Sequence, residues 1–207
     1  MCGIAGIWNL NNKQLELNSL QRFTDSLKHR GPDGSGYELL CENTMGFGHR
    51  RLSILDLSKA GKQPMFNSEN DLVISFNGEV YNFIEIRETL TKTGEKFVTE
   101  TDTEVIIRAY KKWGKDCLAK FNGMFAIAIW DTKTQELFLA RDRFGVKPLY
   151  FMYIPETVIA FASETFAFKY LNGFEREINP KIFNIALTHP EIIEGSDKTI
   201  FKNIYQV

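Results

Sequence analysis

Residues 124–164 place the tightest limit on what this chain can become. Four short apolar runs, "MFAIAIWD", "ELFLARD", "PLYFMY" and "VIAFASE", follow one another with only "TKTQ", "RFGVK" and "IPET" between them. Strand side chains alternate, so Met124, Ala126, Ala128 and Trp130 share one face and Phe125, Ile127 and Ile129 the other. Both faces are apolar, and such a strand must lie in a sheet covered on both sides. The linkers are too short for crossover helices, which favours antiparallel hairpins. Two antiparallel sheets packed face to face with helices outside satisfy both conditions. The predicted fold is therefore α+β, a four-layer α/β/β/α sandwich. At 207 residues, one core of this kind is expected.

The flanking sequence supplies the remaining parts. "CGIAGIW" reads as a strand, and residues 17–29 as a helix carrying Leu17, Leu20, Phe23 and Leu27 at helical spacing. "RGPDGSG" reads as an irregular loop, "MGFGHRRLSILDLS" as a strand with its exit, and "KAGKQPMFNSEND" as another loop. "LVISF" is a strand that runs into Asn77-Gly78, a hairpin-turn pair. Helices are predicted over "NFIEIRETLTKTG", capped by Asn82 with Glu85 and closed by Gly94, and over "TDTEVIIRAYKKWG", opened by Thr101 and Glu104. Val105, Ile106, Ala109 and Trp113 form the inner stripe of the second. "NPKIFNIAL" is a helix begun by Asn179 and Pro180.

Several function classes drop out on composition. Basic and acidic residues number 25 and 26, and neither sign forms a long run, so nucleic acid and anionic membranes are not expected partners. The apolar runs are too short to cross a bilayer, and the N-terminus does not resemble a secretory signal. Three cysteines without a signal argue against a disulfide framework and for a reducing cytoplasm. His29, His49 and His189 match no metal-binding spacing, so no metal is expected.

Chemistry centres on Cys2. Loss of Met1, favoured when the second residue is small, would give one residue both a thiol and a free α-amine. Their reference pKa values, about 8.5 and about 8, are close enough for the amine to serve as the thiol's own base. The asparagine amide of Asn77 and the unhindered N–H of Gly78 are a ready donor pair for a developing oxyanion, and Glu79 beside them can hold an ammonium group. Arg50 and Arg51 point to opposite sides of a strand, so at most one can enter a cleft and clamp a carboxylate. Asp102 falls in a helix's first turn, where the dipole favours its ionised form. "ARDRFGVKPLYF" reads as a structural turn, with Pro148 starting the next strand.

In order, "MCGIAGIW", "RGPDGSG", "GHRRLSILD", "QPM", "FNGEVYN", "TDTE", "FNGMFAIAIWD", "RDRFGVKPLYF" and "ASE" resemble the class II glutamine amidotransferase domain of glutamine-hydrolysing asparagine synthetases, an N-terminal-nucleophile (Ntn) hydrolase. The resemblance implies hydrolysis of glutamine to glutamate and ammonia, without a cofactor. It implies Cys2 as nucleophile, Asn77 and Gly78 as the oxyanion hole, Arg51 on the substrate carboxylate, and Glu79 and Asp102 on its ammonium. Arg30 supports the nucleophile. In this reading residues 1–207 are the glutaminase domain, the last ~30 leading toward a synthetase domain that takes up the ammonia in cis, a separate subunit being the other arrangement. ATP and Mg are expected only for that second domain, whose Ser-Gly-Gly-rich pyrophosphate loop does not occur before Val207. A homodimer is left open. Two alternatives stand: the glutaminase part of an amidotransferase with a sugar-phosphate or phosphoribosyl acceptor, and a non-catalytic glutamine-binding module.

Overall fold

The computed structural model describes residues 1–53, 61–194 and 196–207. Its strands are β1 (Gly3–Asn9), β2 (Gly34–Leu40), β3 (Met45–Arg51), β4 (Met65–Phe66), β5 (Leu72–Val80), β6 (Gly123–Asp131), β7 (Glu136–Arg141), β8 (Tyr150–Ile154), β9 (Val158–Ala162) and β10 (Ile204–Gln206). The helices are α1 (Leu17–Asp25), α2 (Phe83–Lys92), α3 (Asp102–Trp113), α4 (Pro180–Thr188) and α5 (Pro190–Glu194). One sheet runs in the order β10-β8-β9-β1-β3-β2 and the other β4-β5-β6-β7, with antiparallel pairing throughout.

The alternation read from β6 decides the layering. Ala126, Ala128 and Trp130 meet Ile4, Phe47 and Phe161 of the facing sheet, alongside Val73 of neighbouring β5, in the layer between the sheets. Trp8 and Trp130 close it with an edge-on ring contact at 4.9 Å. Phe125, Ile127 and Ile129 face outward onto Ile86, Leu90, Val105, Ile106 and Ala109 of α2 and α3. On the far side, Leu20, Phe23 and Leu27 of the α1 segment cover Ala5 and Ile7, together with Phe168 of a 3₁₀ turn at Thr165–Tyr170. Helix, sheet, sheet, helix is the predicted order.

Local expectations fared unevenly. The helix over 17–29 stops at Asp25, because Leu27, Lys28 and Arg30 donate three residues back and Ser26 Oγ donates to Phe23 O at 2.6 Å. The loop "RGPDGSG" is half strand, since β2 begins at Gly34, and "KAGKQPMFNSEND" contains β4. "ILDLS" at 54–58, with Lys59 and Ala60, lies outside the described residues. Asn77-Gly78 is not a hairpin turn: both residues lie inside β5, opposite Ala126 and Phe125. Asn82 precedes α2 without capping it; its side chain instead donates to Lys120 O and accepts from Asn122 N–H, each at 2.9 Å. Thr101 and Asn179 do cap their helices through side-chain oxygens.

The linker after β7 is not a hairpin within one sheet but a passage from one sheet to the other. Asp142 folds it. Its carboxylate accepts from Phe125, Phe144, Val146 and Lys147 N–H groups at 3.0–3.2 Å.

Candidate active site

Three strands carry the layer between the sheets from an apolar interior to a polar open end. Along β3 the inward series is Met45, Phe47, His49, Arg51; along β5 it is Val73, Ser75, Asn77, Glu79; β1 brings Trp8, Ile4 and, just before its start, Cys2. The last members of the three series meet the start of α3 around a cavity of about 190 Å³, lined by Cys2, Arg51, Asn77, Gly78, Glu79 and Asp102, with His49, Gln63, Phe76, Thr101 and Thr103 among its other walls.

The N-terminal stretch is tied down before it reaches the cavity. Ile4 N–H donates to Ser163 Oγ at 3.0 Å, and Ser163 N–H returns a bond to Ile4 O at 2.9 Å. Arg30 donates from Nε to Cys2 O at 3.0 Å and from Nη1 to Glu164 at 2.8 Å. Arg30 thus touches the nucleophile candidate through its backbone. Cys2 Sγ accepts Leu52 N–H at 3.3 Å. Burial pushes the Cys2 thiol above its usual range, while the Leu52 N–H, the terminal ammonium and Arg51 draw it back.

The paired arginines separate as strand geometry requires. Arg50 turns away, donating to Gly31 O at 3.1 Å and Asp25 at 3.2 Å, so it is neither in the cavity nor solvated. Arg51 lines the cavity, its guanidinium lying against Gly61, where an added Cβ would stand 2.4 Å from Nη2.

The free edge of β5 is the most informative part. Phe125, opposite Gly78, spends its N–H and C=O on Asp142, which puts Gly78 in a pair without mutual hydrogen bonds. The N–H groups of Phe76, Gly78 and Val80 therefore point away from β6. Phe76 N–H finds Gln63 Oε1 at 2.6 Å and Val80 N–H finds Asp102 Oδ2 at 3.2 Å. Between them, Gly78 N–H meets no protein acceptor among the described residues. The adjacent side chain is in the same condition: Asn77 is 2% exposed, and its Nδ2 is buried with no hydrogen-bond partner. A buried unmatched donor costs about 1–3 kcal/mol. That donor beside the open Gly78 N–H suits an oxygen that is negatively charged when it arrives.

Glu79 and Asp102 supply the opposite field. Asp102 is buried, and desolvation, with the Glu79 carboxylate adding to it, raises its pKa from 3.8 to about 6 against the pull of Val80 and Thr103 N–H groups. The expected dipole effect is therefore outweighed by burial. Two carboxyl groups facing one cavity wait for a cation.

Sequence reasoning assigned no role to His49, Gln63, Leu52 or Ser163. Gln63 and Ser163 lay within the quoted stretches "QPM" and "ASE", and His49 lies two residues from Arg51 on the same strand face. That parity was the available signal.

The glutamine amidotransferase domain family model matches residues 1–207, the whole chain. This chain belongs to that family. The amidotransferase domain is 41% identical over 169 residues to asparagine synthetase [glutamine-hydrolyzing] 1 of Bacillus subtilis strain 168, covering 79% of this chain and 26% of that protein. It is 38% identical over 211 aligned positions to asparagine synthetase [glutamine-hydrolyzing] 3 of the same organism, covering 99% of this chain and 30% of the relative. It thus spans less than a third of the length of either. The amidotransferase domain also shares its fold with the glutamine phosphoribosylpyrophosphate amidotransferase of B. subtilis, with a TM-score of 0.68 at 24% identity over 81% of this chain and 43% of that one. The family expected from the ordered motifs is the family found. Among the described residues, no helix is long and apolar enough to cross a membrane.

Proposed function

We propose that this chain hydrolyses the side-chain amide of glutamine through a Cys2 thioester. The observation that carries the reading is the pair of unused donors, Asn77 Nδ2 and Gly78 N–H, lining one cavity with the Cys2 thiol. With Met1 removed, the α-amine of Cys2 takes the thiol proton and the thiolate attacks the amide carbon. The resulting oxyanion falls to Asn77 and Gly78, each such donor contributing ~3 kcal/mol in a transition state. The Cys2 ammonium protonates departing ammonia, and water cleaves the γ-glutamyl thioester.

Arg51 holds the substrate α-carboxylate, and Glu79 with Asp102 holds its ammonium; Arg30 fixes the Cys2 backbone. Anchoring both α-groups converts binding into proximity, and asparagine, one methylene shorter, would leave its amide short of the sulfur. Identities of 38–41% to glutamine-hydrolysing asparagine synthetases support asparagine synthesis as the destination of the ammonia, on a synthetase domain in cis or a subunit in trans. ATP and Mg would be held by that partner's residues. Unpaired Cys2, Cys41 and Cys117 support a reducing cytoplasm.

The test is glutamate release from glutamine by protein shown by intact mass to lack Met1. Turnover is expected, and Cys2→Ala should abolish it while leaving glutamine binding intact. Binding without turnover in correctly processed wild-type protein would instead favour a glutamine-sensing module.

A further inference from the structure

The edge of β5 is served in an unusual way. β4 pairs Met65 with Ile74 and Phe66 with Val73, so the same register, carried on, would set Gln63 opposite Phe76 and Gly61 opposite Gly78. β4 begins only at Met65, and the backbone pairing does not extend that far. In its place the Gln63 side chain reaches across, its Oε1 accepting Phe76 N–H at 2.6 Å. From the facing sheet, His49 Nε2 lies 3.2 Å from Phe76 O. Both polar groups of one backbone residue are thus held by buried side chains from two other elements; His49 is 1% and Gln63 7% exposed. Gln63 is itself braced. Its Nε2 donates to Thr103 Oγ1 at 3.2 Å, and its backbone carbonyl packs so closely on Gly36 that a Cβ there would stand 1.9 Å away.

The acceptor at Phe76 O requires His49 to carry its proton on Nε2. Complete burial, followed in weight by repulsion from Arg51 and Arg50, keeps the ring neutral, its pKa lowered to about 4 despite the Phe76 bond. The contact is therefore a neutral donor at any ordinary pH and not a switch.

We propose that His49 and Gln63 are positioning residues: they clamp Phe76 so that Asn77 Nδ2 and Gly78 N–H stay aimed at the reacting oxygen, with Gly78 N–H left open because a side chain replaces the neighbouring strand. The inference rests on the glutaminase reading above. The proposed contacts to the substrate's α-groups fall to Arg51, Glu79 and Asp102 and not to His49 or Gln63, so the loss on removing either is expected in the chemical step. Misplacing reacting groups by an ångström can cost ~100-fold.

Two variants and one direct measurement test the clamp, all on protein lacking Met1. His49→Phe and Gln63→Met keep side-chain volume and remove the bonds to Phe76. Each is expected to lower kcat by about 10- to 100-fold with KM for glutamine within about threefold, and to leave glutamine binding unchanged when introduced into Cys2→Ala. Active wild-type protein with variant kcat values within threefold would overturn the clamp alone. Wild-type protein that releases no glutamate would overturn the parent reading and the clamp with it. Should either variant fail to fold, amide hydrogen exchange on the unaltered chain decides. Phe76 and Val80 N–H are expected to be protected and Gly78 N–H to exchange fast, whereas equal exchange at Phe76 and Gly78 would refute the clamp.

Discussion

Asp102 shows how much one residue's behaviour depends on where its carboxyl group ends up. Its place in the first turn of α3 was legible from "TDTE", with Thr101 as the cap, and the helix dipole favours the charged form there. Burial beside Glu79 wins instead, and the pKa rises from 3.8 to about 6. A raised acid pKa means that the folded chain holds a proton the unfolded chain has released between those two values. Asp102 therefore costs stability progressively as pH rises through that window, and the cost stays constant above it. In the proposed function glutamine binding has the opposite demand, because there the Asp102 carboxyl faces the substrate ammonium and must be ionised. KM for glutamine is expected to climb as pH falls below about 6, by up to about tenfold per pH unit. Asp102→Asn should raise KM roughly 10- to 100-fold and flatten that pH dependence. It should also raise the urea midpoint at pH 8, because the buried charge is gone. Steady-state kinetics across pH and urea unfolding of the variant check the two halves separately.

At the scale of elements, the strands were legible and their ends were not. Alternation in "MFAIAIWD" assigned both faces of β6 correctly, because a period of two is a property of the chain itself. Asn77-Gly78 misled for a physical reason: its turn preference is local, while nine register pairs between β5 and β6 hold those residues extended. The crossing after β7 was hidden in the same way. It depends on Asp142 gathering four N–H groups, and nothing in "RDRFGVK" announces that the carboxylate turns inward. Burial pushes the Asp142 carboxyl up, but bonds from Lys147, Val146, Phe125 and Phe144 outweigh it and hold the group below its usual range. Its contribution is present at neutral pH and lost as pH falls through that lowered range. Asp142→Ala is expected to cost about 3 kcal/mol by urea unfolding at pH 7, and the difference from wild type should shrink toward pH 3.

For the whole molecule, the layer between the sheets both holds the fold together and builds the site. Trp130 fills it at 1% exposure, in edge contact with Trp8 across the two sheets. Trp130→Ala is expected to cost about 3–5 kcal/mol, measured by urea unfolding. Glutaminase activity should fall as well, since Cys2 and Arg51 hang from one sheet and Asn77, Gly78 and Glu79 from the other. By itself the sequence determined the layer order, the strand parity that puts Arg50 and Arg51 on opposite faces, and the residue types able to do thiol chemistry. These follow from periodicity and side-chain chemistry, which are local. Only the tertiary structure decided that Cys2, Asn77 and Asp102 share a cavity, that Gln63 stands in for a strand, and that Asp102 is buried enough to resist ionisation. Each of these depends on distances between segments far apart in the chain, and such distances are set by packing the two sheets together.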